Sequence, residues 1–69
     1  MENQELIEKA VEKIAEYIDF IDIDESINER LSFVGGMEFI VKDVLKYDTD
    51  KSPKIISAYA RLNKRVLKK

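Results

Sequence analysis

The sequence predicts an all-α protein, a small three-helix bundle. Three observations lead there. Apolar residues recur at steps of three and four along most of the 69 residues, and the single proline follows a serine in the order that opens a helix. The one stretch with period-two alternation, DFIDIDES at 19–26, is full of turn-forming aspartates and reads as a turn rather than a strand.

The first helix is expected over about 4–21. Leu6, Ile7, Ala10, Val11, Ile14, Ile18 and Ile21 fall on one face, and Glu5, Glu8, Glu12, Glu16 and Asp19 gather in a narrow arc opposite them. Glu5 stands four residues before Lys9, the favourable order for a surface ion pair. Asp24 is placed to cap a second helix over about 25–47, with Ile27, Leu31 and Val34 on one side and Met37, Ile40, Val41, Val44 and Leu45 continuing after two glycines. Ser52 followed by Pro53 starts the third helix, expected over 53–67 with Ile55, Tyr59, Leu62 and Val66 as its seam. Short connections make successive helices roughly antiparallel.

The pair Gly35-Gly36 stands inside the second helix, where each glycine costs about 1 kcal/mol relative to alanine. The punctuation rule for glycine predicts a break or sharp kink there. The alternative is a hinge or a close approach of another backbone that requires a missing side chain. A break would also suggest a helix-turn-helix motif, but the helix entering the groove would begin Met37-Glu38-Phe39-Ile40, without the amides and guanidinium groups that read bases.

Composition narrows the chemistry. The chain is one domain, and at this length only about 60% of the unfolded surface is buried, so the core is thin. With no cysteine and no histidine, disulfides, zinc staples and thiol or imidazole catalysis have no side chains to work with. Aspartates at 22, 24, 48 and 50 suggest calcium, yet an EF-hand loop started at Asp22 puts Ile27 and Phe33 at its sixth and twelfth positions, and one started at Asp48 puts Pro53 and Tyr59 there. No catalytic residue, metal ligand or cofactor site is therefore expected. The longest uncharged run, Leu31 to Met37, is far below the roughly 20 residues that span a bilayer, and the first twelve residues lack a signal-type apolar stretch, so a cytoplasmic chain away from membranes is expected.

Charge is divided along the chain. Residues 1–50 carry all 14 acidic groups against five basic ones, whereas residues 51–69 carry seven basic groups and no acid. On the third helix Lys54, Arg61, Lys64, Arg65, Lys68 and Lys69 lie within an arc of about 140°. Three readings of this strip compete: a solvated face suited to the helix dipole, a surface for an acidic protein or for the acidic face of the first helix, and a contact for phosphates. The acidic remainder of so small a body opposes the phosphate reading, as does the lack of aromatics among the basic residues.

The aromatic residues Phe20, Phe33, Phe39 and Tyr47 exceed what one thin core needs, and any left exposed would mark an interface that a homodimer could bury. The expected function is a non-catalytic protein–protein interaction module, such as a regulator, adaptor or inhibitor, using charged helical faces and an apolar patch. A nucleic-acid-associated protein gripping phosphates through the basic C-terminal helix ranks second.

Overall fold

In the computed structural model, which describes residues 2–68, the apolar stripe of the first helix takes the form of α1, Glu2–Asp19. Val11, Ile14 and Ile18 are buried on one face, and Ile21 follows them into the core just past the helix end. The loop after it is held by Asp24, whose carboxylate accepts hydrogen bonds from the Ser26 backbone N–H at 2.9 Å and from Arg30 at 2.7 Å. Asp24 thus builds a turn, and the N-cap position of the next helix falls to Ser26, which makes no side-chain cap.

The second helix, α2, runs Ile27–Leu45 without interruption. The expected break at Gly35-Gly36 does not occur: both glycines are helical and neither has a positive φ. The physical reason is phase. Ile27, Val34 and Val41 are spaced by seven, as are Leu31, Glu38 and Leu45, so the residues before and after the glycines reach one core only if the helix continues through them. Tertiary burial outweighs the weak intrinsic preference against glycine. A Cβ built on either glycine would meet nothing within 4 Å, so no part of this chain needs the missing side chains. The helix ends at Leu45, two residues earlier than expected, and the Lys46 cap takes the left-handed conformation at φ 57°. Glycine is the usual residue for that cap.

A single 3-10 turn, Thr49–Lys51, is capped by the Asp48 side chain through the Asp50 N–H. Ser52 then accepts from the Ile55 N–H, Pro53 occupies the first turn, and α3 runs Pro53–Leu67, as its sequence predicts. Thr49 and Ser52 are both buried, which ties this connection to the bundle.

All described secondary structure is helical. The core is one cluster, with Val11, Ile14 and Ile18 from α1, Val34 and Val41 from α2, and Ile55, Ala58 and Leu62 from α3. Its outer margin differs from the expected seams: Ala58 is fully buried, while Leu6 and Val66 are only about half covered. The first helix is the centre of the arrangement, because α2 and α3 each pack chiefly against it. Residues 6–13 of α1 meet 40–45 of α2 and residues 17–21 meet 29–34, so those two helices are antiparallel. Glu12 meets Lys54 and Asp19 meets Arg61 at the same offset of 42 residues, so α1 and α3 run parallel.

Candidate interaction surface

The charged faces singled out in the sequence meet each other along the α1–α3 side. Lys54 Nζ lies 3.2 Å from Glu12, and the Arg61 guanidinium binds both oxygens of Asp19, at 2.8 and 2.9 Å. The hydrogen bond from Arg61, with its charge, holds the Asp19 carboxyl below its ordinary value. Arg65 donates to the backbone carbonyl of Ile18 at 3.0 Å and reaches that of Ile21 at 3.5 Å. The last turn of α1 has no basic residue of its own, so α3 supplies the positive charge that suits the carbonyl end of that helix.

The basic strip is therefore split. Lys54, Arg61 and Arg65 are directed at α1, while Lys64 and Lys68 are exposed and form no ion pair among the described residues; Lys69 lies outside them. On the acidic face Glu12 and Asp19 are engaged with α3 and Glu16 pairs with Lys13 at 3.6 Å. Glu5 and Glu8 remain in solvent and form no ion pair among the described residues, and the favourable spacing of Glu5 and Lys9 does not bring them within bridging distance. Exposed pairs of this kind add little stability individually.

One polar contact was not anticipated from sequence. Tyr59 donates its hydroxyl to Glu38 at 3.0 Å, tying α3 to α2, and the other carboxylate oxygen of Glu38 is buried without a partner. Burial, then the hydrogen bond and charge of Glu38, push the Tyr59 hydroxyl up to about 12. The signal was present: Glu38 occupies the apolar register between Leu31 and Leu45.

The opposite side, between α1 and α2, has a different character. Phe20 is 80% exposed, and Leu6, Tyr17, Phe33, Ile40 and Val44 are each at least half exposed. They border two shallow grooves between the helices, of about 410 Å³ at the Leu6 and Val44 end and about 380 Å³ at the Phe20 and Phe33 end. Tyr17 and Phe33 span the groove in a tilted ring contact with centroids 5.6 Å apart. In α1 the residues 6, 10, 13 and 17 advance by four and three, as do 33, 37, 40 and 44 in α2, and residue 20 lies one step further, just past the end of α1. This is the spacing of a helix–helix seam, so each helix carries a second seam beside the one that fills the core.

Of the four aromatics flagged by the sequence, Phe20 and Phe33 belong to this side, Tyr47 is half-buried against the core, and Phe39 projects from the outer surface of α2. No described helix is long and apolar enough to cross a membrane. No family model matches the chain, and neither curated proteins nor solved structures yield a match.

Proposed function

We propose that this chain is a small non-catalytic protein–protein interaction module whose working surface is the apolar side of the α1–α2 pair. The observation that carries this reading is the set of exposed large apolar residues on one side of the α1–α2 pair, Leu6, Ile40 and Val44 at one groove and Tyr17, Phe20 and Phe33 at the other. A contiguous apolar patch rimmed by polar groups is the usual mark of a docking site, whereas scattered apolar residues are ordinary. The side chains offer chiefly apolar contact area and shape, with Lys9 and Lys13 at one groove and Glu29 and Arg30 at the other as charged margins.

Charge contributes less to recognition than the sequence alone suggests. Three members of the basic strip are engaged with α1, which among the described residues leaves Lys64 and Lys68 as a small cationic edge. That weakens the case for phosphate contact, since nonspecific affinity for nucleic acid grows with the number of phosphates neutralised.

Photo-crosslinking tests the reading. With a photoreactive phenylalanine at position 33, irradiation in extract of the source cells is expected to yield a protein adduct, counting a second copy of this chain as a protein. The same group at position 39 is expected to yield none. Adducts to nucleic acid, or equal adducts from both positions, would reject the α1–α2 face as a protein-docking surface.

A further inference from the structure

We propose that the occupant of the α1–α2 face is a second copy of this chain, related by a two-fold axis running along the helices. This inference rests on the interaction reading above and names its partner. An axis in that direction lays α1 of each copy over α2 of the other, with Tyr17 and Phe33 of both chains in one four-helix contact layer. Because α1 and α2 are antiparallel within the chain, every neighbouring pair in that layer is antiparallel too.

Charge complementarity selects this occupant. The α1 rim at the Leu6 end carries Lys9 and Lys13, and no acidic residue lines that groove. On α2, Asp43 lies seven residues after Gly36 on the outer rim, beside Ile40 and at the level of the Leu6 end. Lys9 and Asp43 form no ion pair among the described residues. The two-fold operation places the α1 rim of one copy on the α2 rim of the other, bringing Lys9 over Asp43 of the second copy, and the same pair forms twice. An isologous interface requires such self-complementarity. Gly36 lies in the middle of that rim with open space around it, a feature its own chain leaves unused and a closely approaching helix can occupy.

Area sets the strength. Eighteen residues make α1 about 27 Å long, and two helices side by side present a face roughly 20 Å wide. That is below the approximately 800 Å² per partner of standard interfaces, so dissociation on the order of 10 μM is expected.

Sedimentation equilibrium of the full chain tests the proposal, with circular dichroism to verify folding. The intact chain is expected to dimerise in the micromolar range, and Ile40→Glu to raise the dissociation constant at least 100-fold, since it buries a charge at the centre of the contact. Ile40 is 61% exposed, so the monomer fold tolerates the change. Phe39→Ser, altering a residue about 100° further round α2, is expected to leave dimerisation unaltered. Lys9→Glu and Asp43→Lys are each expected to weaken it about tenfold, and the two together to restore it within one chain.

A monomer at several hundred micromolar would overturn the proposal, as would failure of the double reversal to restore association, or a loss on Phe39→Ser as large as that on Ile40→Glu. A monomeric chain that still gives a position-33 photo-adduct to a foreign protein rejects the second copy and keeps the interaction module. A monomer with no protein adduct rejects both.

Discussion

The α1–α3 side of the molecule and the α1–α2 side are built on the same central helix, yet they finish in opposite states. Along α1–α3 the conspicuous charges find partners within the chain: Lys54 with Glu12, Arg61 with Asp19, and Arg65 with the carbonyl end of α1. Along α1–α2 the conspicuous apolar residues do not, and Phe20, Phe33, Ile40 and Val44 stay exposed beside a filled core. Surface ion pairs contribute little to stability, while exposed apolar area is the larger source of association free energy. The dramatic feature of the sequence, its charge division, is thus partly consumed internally, and the quieter feature, a surplus of apolar seam, is left exposed along α1–α2.

The sharpest way to break the contrast is to attack what both sides share. Ile18 is fully buried in α1, and Ile18→Ala is expected to cost about 2–5 kcal/mol, enough to unfold much of a chain with so thin a core. Urea denaturation followed by circular dichroism measures it; a loss below 1 kcal/mol would mean that α1 is not the common core element.

Next in size is the α2–α3 tie. Tyr59→Phe leaves both Glu38 oxygens without the hydroxyl and is expected to cost about 1–3 kcal/mol at neutral pH. Folded Tyr59 titrates near 12 against 10.0 ordinarily, so its contribution is complete below pH 10 and drains as pH rises toward 12. The alkaline loss of stability should therefore be smaller in the Tyr59→Phe variant, and equal losses in the two proteins would dissociate Tyr59 from it.

Gly35 sits on an exposed, unbroken stretch of α2 with room for a side chain, away from the rim that carries Gly36. Gly35→Ala is expected to stabilise the fold by about 1 kcal/mol, read as a higher urea midpoint at unchanged slope. A destabilised variant would show that the glycine serves a contact after all.

The smallest effect belongs to the charged side. Asp19→Asn is expected to lower the urea midpoint slightly, less than any change above, and the loss should shrink further in high salt. Because folded Asp19 titrates below its ordinary 3.8, its contribution is present above that pH and disappears as pH falls further. Acid unfolding curves of the intact chain and Asp19→Asn should converge at low pH. Persistent separation there would assign the effect to something other than the Arg61 pair.

Much of this was legible in the residues. The stripes of α1 and α3 and the Ser52-Pro53 start follow from helical periodicity and capping chemistry, both local. Equally, the spacing of seven between Glu12 and Asp19 and between Lys54 and Arg61 anticipates two facing charged ridges. The continuity of α2 was also encoded, in the register of Ile27, Val34 and Val41, but the local signal of Gly35-Gly36 opposed it, and only burial against α1 resolves that conflict.

By itself, then, the sequence determined the all-α class, the apolar faces of the helices and the absence of thiol and imidazole chemistry, because these depend on residue type and on spacings of a few positions. Which basic residues point at α1, that Tyr59 meets Glu38, and that the surplus seam lies together on the α1–α2 side were decided only by the tertiary structure. Those facts depend on the rotation and axial register of one helix against another, which packing of the shared core sets and no short stretch of sequence contains.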